Sequence, residues 1–226
     1  MRILVTAATA IELMPAREVW EVLRYQTDTP LTMECIETGI GATATAYHTL
    51  KALSAAADKP YDLSINMGIA GSFSSSLPIG TVVRVASDCF GDSGIQTASG
   101  FQSLFDAQLL NANSFPFKSE KLTPPPLSPE WESLLASLPV AEGVTVQRLV
   151  TDALTKMIPT VETMEGAAFF YVCMMEEIPC LALRAVSNMA GERDKEKWNI
   201  PLSINNLRTF FFLLKSMYNV VQSGHR

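Results

Sequence analysis

The sequence predicts an α/β fold built around a mainly parallel sheet, and three observations lead to that prediction. Segments rich in β-branched and aliphatic residues alternate along the chain with segments of helical pattern. The first strand-like segment, residues 3–7, is a continuous apolar run that ends at small residues, as buried parallel strands do. The chain has 226 residues, 48% of them hydrophobic, which is enough for one sizeable core. We therefore expect a single domain over residues 1–226, with its ligand site beyond the carboxyl ends of the strands.

Strands and helices continue to alternate after this first strand. The predicted elements are a helix over residues 12–25, a strand over 33–38, a helix over 42–57, and strands over 63–67 and 81–87. Gly39-Ile40-Gly41 is expected to form a tight turn, and Pro60 to stop the second helix, since proline has no backbone N–H. Residues 68–72, Gly-Ile-Ala-Gly-Ser, are expected to be a turn that is either purely structural or closely approached by a ligand.

The second part of the chain is predicted to add two strands, two helices and one irregular segment. The regular elements are a strand over residues 144–151, a helix over 164–177, a strand over 180–187 and a helix over 204–222. Residues 90–129 lack clean periodicity, carry Gly91, Gly94 and Gly100, and end near three consecutive prolines. We expect them to form an irregular excursion or a lid over the ligand site.

Charge and composition exclude several classes of partner. The 17 lysines and arginines are outnumbered by 23 aspartates and glutamates, so the formal net charge is −6. A negative field repels polyanions, which argues against nucleic acid and anionic membranes. The apolar stretches of the sequence are too short for a signal peptide or a membrane span, so we expect a cytoplasmic protein.

Cysteine and histidine usage argues against a metal centre. Cys35, Cys89, Cys173 and Cys180 fit neither the spacing of a zinc site nor that of a redox motif. We expect reduced and mostly buried thiols. Only two histidines are present, too few for a histidine-based metal site.

A glycine motif before the second helix has two interpretations. Residues 39–44 match the relaxed dinucleotide-binding pattern G-x-G-x-x-A between a predicted strand and a predicted helix. The acidic residue expected at the end of the following strand is missing, because that strand runs into Gly68. A turn for close strand-to-helix packing is therefore favoured, and a dinucleotide-dependent oxidoreductase is the alternative. The sequence contains neither a P-loop nor a nucleophile elbow.

Three polar segments stand at the predicted ligand edge of the sheet. Glu12 follows the first strand, where it is either a functional carboxylate or a charge that favours the helix dipole. Residues 164–168, Met-Glu-Gly-Ala-Ala, begin a helix with a carboxylate that can accept two hydrogen bonds from a sugar diol. Residues 184–188 end the last strand with an arginine, a hydroxyl and an amide, groups whose burial requires partners.

In their order along the chain, these segments resemble the nucleoside phosphorylase and nucleosidase family. The segments that carry the resemblance are Glu12, Gly39-Ile40-Gly41, Gly68-Ile69-Ala70-Gly71, Thr151-Asp152-Ala153, Met164-Glu165-Gly166-Ala167 and Arg184-Ala185-Val186-Ser187-Asn188. The resemblance implies a three-layer α/β/α sandwich with a central mixed, mainly parallel sheet. It also implies a homodimer or higher homo-oligomer that hydrolyses a small-molecule purine nucleoside and needs neither a metal nor an organic cofactor.

The resemblance further implies roles for individual residues. Glu12 is expected to position the attacking water with help from Arg184, and Glu165 to hold the ribose hydroxyls. The other expected substrate contacts are Met164 against the sugar, Trp198 against the purine, the backbone of Ala153 and Leu154 at the base edge, Ala70 and Gly71 in the glycine segment, and Ser187.

The chain differs at Asn188 and Ile69 from the adenine-cleaving members of the family that it resembles. Those members carry an aspartate at the position of Asn188 and a serine at that of Ile69. Adenine needs a proton at N7 to leave, and an amide cannot supply one. An amide can donate a hydrogen bond to N7 or O6 of hypoxanthine. Asn188 therefore favours a 6-oxopurine nucleoside, and the nearest resemblance is to the futalosine hydrolases, which release hypoxanthine from futalosine in menaquinone biosynthesis.

The sequence leaves alternative activities open. They are methylthioadenosine/S-adenosylhomocysteine nucleosidase, 6-oxopurine nucleoside phosphorylase and a nucleoside sensor without catalysis. Water is the favoured nucleophile, because a phosphate would need cations or a polar pocket where this chain has Ile69 and Glu12. The carboxylate of futalosine would need a cation, for which Arg84, Arg193 and a lid residue are candidates.

Overall fold

The structure is a computed structural model that describes residues 1–25, 31–148, 160–192 and 194–223, the last ten of them in their backbone only. Its strands are β1 (Arg2–Ala7), β2 (Thr32–Glu37), β3 (Leu63–Ser72), β4 (Val82–Ser87), β5 (Gly94–Thr97), β6 (Gly100–Ser103), β7 (Phe117–Lys118), β8 (Lys121–Leu122), β9 (Val140–Thr145), β10 (Val161–Thr163) and β11 (Cys180–Met189). Its helices are α1 (Ala10–Leu23), α2 (Ala42–Ala55), α3 (Pro129–Leu135), α4 (Gly166–Met175) and α5 (Ile200–Ser223), with a 3₁₀ turn at Lys195–Lys197.

Seven of the described strands form one sheet in the order β10-β9-β4-β11-β3-β1-β2. β1 lies parallel to β2 and β3, β3 to β11, and β9 to β4 and β10, whereas β11 and β4 are antiparallel. The prediction of a mixed, mainly parallel sheet is therefore confirmed. The end of β3 also pairs with β10 through Gly71 and Ser72, so five strands close into a ring.

The strands of the sheet contribute side chains to apolar clusters on both of its faces. Along β1, Ile3 and Val5 belong to one cluster and Leu4 to the other, because successive side chains of a strand point to opposite faces. The first cluster includes Leu13 of α1 and Phe211 of α5, and the second includes residues of α2 and α4. This two-sided burial explains the continuous apolar runs of the sequence. None of the described helices is long and apolar enough to cross a lipid bilayer.

The expected turn over residues 68–72 is wrong, because β3 continues through Ser72. β11 lies alongside this segment, with Arg184 opposite Gly68 and Val186 opposite Ala70. Pairing with a strand that is distant in sequence overrides the local preference of glycine for turns. The segment is consequently a hydrogen-bonded part of the sheet.

Other boundaries differ in smaller ways. β9 begins earlier than the predicted strand over residues 144–151, the last three of which lie outside the described residues. β10 and α3 are not predicted, because three and seven residues carry too little periodicity to be recognised. The thiols of Cys89, Cys173 and Cys180 are buried, as expected.

Residues 90–129 do not form a lid over the carboxyl ends of β3 and β11. They contain the hairpin of β5 and β6 and the short pair of β7 and β8. Leu122 is buried in the apolar cluster that contains α4, and the ring of Phe117 lies 6.0 Å from that of Tyr171. The segment packs against α4 because its apolar side chains find their partners there.

Candidate active site

A cavity of about 330 Å³ opens at the carboxyl ends of β1, β3, β10 and β11. This is the edge at which α/β sheets place their ligands. The segments that follow β1 and β10 lead into the first turns of α1 and α4, so two helix starts also contribute to the lining. The site is therefore built from four strand ends and two helix starts.

Glu12 lies in the first turn of α1 with its carboxylate buried against β3. Thr9 caps the helix, and its hydroxyl donates to Glu12 Oε2 at 2.7 Å. The backbone N–H of Ile69 donates to Oε1 at 3.0 Å. A Cβ at Gly68 would lie 2.8 Å from Oε1, so the glycine allows this close approach. Because a carboxylate has about four acceptor positions, Glu12 can still accept a hydrogen bond from a ligand.

Glu165 occupies the N-cap position of α4, but its carboxylate turns toward the start of α2. The N–H groups of Gly41 and Met164 donate to its two oxygens at 2.9 and 3.3 Å. Gly41 has a φ of +95°, which strongly favours glycine. Burial raises the pKa of Glu165, while the hydrogen bond from Gly41 and the charge of Arg184 oppose this rise. The glycine turn thus binds a carboxylate of the chain itself at a helix N-terminus.

Arg184 lies beneath the cavity floor and is only 1% exposed. Its Nη1 donates to the carbonyls of Asn66 and Leu183 at 3.1 and 2.9 Å, and its Nη2 donates to Asn66 Oδ1. Its Nε has no hydrogen-bond partner among the described residues. Burial lowers the pKa of Arg184, while the charges of Glu165, Asp88 and Glu12 oppose the change. A buried cation thus sits among three carboxyl groups.

Asn188 presents an amide whose orientation is fixed by its neighbours. The hydroxyl of Ser187 donates to Asn188 Oδ1 at 2.7 Å, and Nδ2 donates to the carbonyl of Met189 at 2.9 Å. The reversed amide would place two acceptors against each other at Met189, so the carbonyl selects this orientation. An amide nitrogen carries two N–H groups, and one of them remains for a ligand.

Apolar side chains cover much of the remaining cavity surface. They include Ile11, Ile40, Ile69, Ile200 and Met164. Trp198 also lines the cavity, and its indole N–H donates to the carbonyl of Glu192 at 3.2 Å, which fixes the ring. A mostly apolar cavity with a few oriented polar groups is typical of a small-molecule site.

The charged side chains that line the cavity are all acidic in the part of the chain that the structure describes. They are Glu12, Glu162, Glu165 and Glu192. Arg84, one candidate for binding a substrate carboxylate, instead pairs with Glu132 and does not line the cavity. Arg193 lies outside the described residues. Within the described ranges, no group of three or more histidine, cysteine, aspartate or glutamate side chains could hold a metal ion.

The structure brings together most of the side chains that the sequence analysis selects. Those that line the cavity are Glu12, Ala70, Gly71, Met164, Glu165, Ser187, Asn188 and Trp198. Arg184 does not line it, because Asn66 and Leu183 hold its guanidinium beneath the floor. Ala153 and Leu154 lie outside the described residues.

The residues that orient these side chains were not predicted from the sequence. Thr9 and Glu12 form the T-x-x-E pattern of a capping box, a signal that would have found Thr9. Gln147 bridges the start of α2 and the segment before α4, since it accepts from Ala42 N at 3.0 Å and donates to the carbonyl of Met164 at 2.8 Å. Contacts such as those of Gln147 join residues far apart in the sequence, so no local pattern announces them.

The sequence matches known proteins over most of its length. The profile described as Phosphorylase superfamily matches residues 31–211. A futalosine hydrolase of Thermus thermophilus is 32% identical over 182 residues, which cover 76% of each chain. A futalosine hydrolase of Streptomyces coelicolor is 32% identical over 148 residues, which cover 63% of this chain but only 60% of that protein.

Solved structures with low sequence identity share the fold. A futalosine hydrolase mutant of Helicobacter pylori superposes with a TM-score of 0.73 at 17% identity, covering 97% of this chain and 99% of that one. A 5′-methylthioadenosine/S-adenosylhomocysteine nucleosidase of Colwellia psychrerythraea, in complex with adenine, gives a TM-score of 0.72 at 18% identity, covering 97% and 95%. The same mixed α/β architecture thus occurs in enzymes named for different nucleosides.

Proposed function

The chain belongs to the phosphorylase superfamily, whose profile covers residues 31–211, and we propose that it is a purine nucleosidase that hydrolyses futalosine. The products are hypoxanthine and dehypoxanthine futalosine, in a step of menaquinone biosynthesis. The observation that carries the proposal is that Glu12, Glu165 and Asn188 line one cavity. The names of the two relatives that are 32% identical support it.

Glu12 acts as the general base. Its carboxylate accepts a proton from a water molecule, whose oxygen then bonds to the anomeric carbon of the ribose. The hydrogen bonds from Thr9 and Ile69 hold the carboxylate in one orientation, so little reorganisation accompanies the proton transfer. Arg184 acts from beneath the floor, where its positive charge offsets the mutual repulsion of the buried carboxylates.

Glu165 and Met164 bind the sugar. The carboxylate of Glu165 accepts hydrogen bonds from the two ribose hydroxyls, while the N–H of Gly41 keeps it in place. Met164 packs against the sugar ring. The acidic lining also stabilises the positive charge that develops on the ribose as the bond to the base breaks.

Asn188 stabilises the departing base. When the bond between the anomeric carbon and the purine nitrogen breaks, its electron pair moves onto hypoxanthine, which spreads the charge to its own oxygen. The available N–H of Asn188 donates to N7 or O6 of the base, while Trp198 contacts its face. Because the carbonyl of Met189 fixes this donor, the site favours a 6-oxopurine over adenine.

The acidic lining favours water over phosphate. Among the described residues that line the cavity, none is a lysine or an arginine. A phosphate dianion would face four glutamates there, whereas a water molecule carries no charge. Hydrolysis is therefore the proposed reaction, rather than phosphorolysis.

We also propose the architecture, location and assembly that the resemblance implies. The helices on the two faces of the sheet make a three-layer α/β/α sandwich in a single domain over residues 1–226. The protein acts in the cytoplasm as a homodimer or a higher homo-oligomer, without a metal or an organic cofactor. Light scattering on the eluted peak of a gel-filtration column measures the oligomeric state, and a monomer would contradict that part.

A substrate panel tests the proposed function. Purified protein is incubated with futalosine, inosine or methylthioadenosine, with and without phosphate, and the released base is followed by chromatography. We expect hypoxanthine from futalosine in the absence of phosphate. A strict requirement for phosphate would assign a phosphorylase, and ligand binding without any product would assign a sensor.

The methylthioadenosine arm tests the alternative that the fold of the adenine-bound nucleosidase supports. We expect Asn188→Asp to shift the preference toward methylthioadenosine by about tenfold or more, because a carboxylic acid can protonate N7 of adenine. Release of adenine, and not hypoxanthine, by the wild-type protein would show that Asn188 does not select the base.

A further inference from the structure

A cluster of buried polar side chains lies behind the start of α4, outside the cavity. Asp88 follows β4, Thr145 ends β9 and Thr163 ends β10, and the exposed fractions of these side chains are 1%, 1% and 4%. Burial of such groups costs free energy unless each finds partners. The hydrogen-bond partners of these three side chains therefore show what the cluster stabilises.

The hydrogen bonds of the cluster lead to the first turn of α4. The N–H of Ala167 donates to Thr145 Oγ1 at 2.7 Å, and the hydroxyl of Thr145 donates to Asp88 Oδ1 at 3.0 Å. The N–H of Gly166 donates to Thr163 Oγ1 at 3.2 Å. The first N–H groups of a helix normally require a side chain at the N-cap. Here the hydroxyls of Thr145 and Thr163, at the ends of β9 and β10, accept these hydrogen bonds instead.

This exchange of partners leaves the N-cap residue available for another task. Glu165 occupies the N-cap position, and its carboxylate bonds to the N–H of Gly41 instead of the first turn of its own helix. With the N–H of Ala167 bound by Thr145 and that of Gly166 bound by Thr163, the first turn of α4 does not draw on the carboxylate of Glu165. That carboxylate lines the cavity, where the N–H of Gly41 binds it.

Two glycines make room for the carboxyl group of Asp88. A Cβ at Gly143 would lie 2.6 Å from Asp88 Oδ2, and a Cβ at Gly166 would lie 2.1 Å from it. The backbone N–H of Cys89 holds Oδ1 at 2.7 Å, so the carboxyl group is fixed against the start of α4. Gly166, the glycine of the Met-Glu-Gly motif, therefore leaves the space that the carboxyl group of Asp88 occupies.

We propose that Asp88 is a positioning residue that, through Thr145, caps α4 and thereby keeps the carboxylate of Glu165 directed into the cavity. This inference rests on the proposed role of Glu165 in binding the ribose. The charged groups that face Asp88 are Arg184 and Glu165. Neither needs to change its charge for the capping to operate.

Thr145→Val is the main test, because it removes the hydroxyl and preserves the shape of the side chain. We expect the KM for futalosine to rise about tenfold, which corresponds to the loss of about one well-placed hydrogen bond. The inhibition constant of free hypoxanthine should stay within about twofold of wild type, because the base does not contact Glu165. Asp88→Ala should give the same pattern.

Two further variants separate positioning from a general loss of packing. Thr145→Ser restores the hydroxyl and should restore the KM. Thr49→Val is the matched control, because Thr49 is a buried threonine whose hydroxyl has no hydrogen-bond partner among the described residues. It should leave the KM and the inhibition constant unchanged.

Amide hydrogen exchange measured by NMR reads the capping directly, without any substrate. We expect faster exchange at Ala167 in Thr145→Val and a normal rate in Thr145→Ser and Thr49→Val. Unchanged exchange at Ala167, or equal weakening of nucleoside and free base, would overturn the role of Asp88 and Thr145 while wild-type activity still supports the proposed function. A wild-type protein that cleaves no purine nucleoside would instead refute the proposed function, whatever the exchange rates are.

Discussion

The starts of α1 and α4 each deliver a glutamate to the same cavity, but they are built in different ways. At α1, the cap residue Thr9 also binds the carboxylate of Glu12, three residues further along. At α4, Glu165 is itself in the cap position, and Thr145 and Thr163 bind the first N–H groups of the helix. Glu12 is oriented partly by its own helix start and partly by Ile69 of β3, whereas the orientation of Glu165 depends on Gly41 and Thr145, which are distant in the sequence. Two glutamates that line one cavity thus depend on local and on tertiary structure to different degrees.

Glu12→Gln has the largest expected effect on catalysis, because it removes the proposed base and keeps the shape of the side chain. We expect kcat to fall about 10²-fold to 10⁴-fold while the KM changes little. Steady-state kinetics with futalosine measure both constants. Glu18→Gln is the matched control, since Glu18 lies on the exposed side of the same helix in a pair with Arg208. A Glu12→Gln variant with nearly normal kcat would contradict the assignment of the base.

Asp88→Asn tests whether the buried carboxyl group behind the start of α4 makes the stability of the protein depend on pH. Burial raises the pKa of Asp88 from 3.8 to about 7, although the charge of Arg184 opposes this. At pH values between 3.8 and about 7, the folded protein keeps a proton on Asp88 that the unfolded chain releases. The free energy of unfolding of the wild type therefore falls as the pH rises through this range. The asparagine variant lacks this fall.

Urea unfolding at pH 5 and pH 8 measures the effect of Asp88→Asn. Between pH 5 and pH 8, the free energy of unfolding of the variant should rise by about 3 kcal/mol relative to that of the wild type. The exposed Asp58→Asn serves as the control and should gain nothing comparable. An equal pH dependence in wild type and Asp88→Asn would show that the carboxyl group is not the source.

Glu165→Ala tests whether Glu165 binds the substrate while Glu12 acts in the chemical step. Loss of the hydrogen bonds between a carboxylate and the ribose diol should raise the KM about 10-fold to 100-fold and lower kcat as well. Glu12→Gln should leave the KM largely intact, so the two variants separate binding from chemistry. The exposed Glu176→Ala, near the other end of α4, is the control. Equal and mild effects of both active-site variants would contradict their different roles.

Thr9→Val has the smallest expected effect, because Glu12 keeps its bond to the backbone of Ile69. Loss of the cap should lower the free energy of unfolding by about 1 kcal/mol and kcat by less than about tenfold. Thr9→Ser should restore both. Thermal unfolding and steady-state kinetics provide the two measurements. A loss of kcat as large as that of Glu12→Gln would show that Thr9 does more than orient the carboxylate.

Local sequence patterns predicted the features that depend on neighbouring residues. The apolar run of β1, the turn at Gly39 and Gly41, and the buried start of α4 follow from burial, backbone freedom and helix propensity, which act over a few residues. The order of the motifs also indicated the superfamily, which the matching profile confirms. Glu12, Glu165 and Asn188 were selected as candidates in this way, and all three line the cavity.

Features that depend on distant contacts could not be predicted in this way. Residues 68–72 extend a strand because β11 lies beside them, although their composition favours a turn. Arg184 lies under the floor because Asn66 binds its guanidinium there, although its place among the polar residues that end the last strand predicted a position at the ligand edge of the sheet. In both cases a partner far away in the sequence outweighs the local tendency.

Neighbouring residues are sufficient to specify the alternation of strands and helices and the capping pattern at Thr9 and Glu12, because both depend on residues that are close along the chain. The direction of the Glu165 carboxylate depends on tertiary structure, since Gly41 binds it from a distant segment and Thr145, held by Asp88, binds the first turn of its helix. Local propensities act between neighbours, whereas the orientation of a buried charge depends on every donor that the folded chain brings around it.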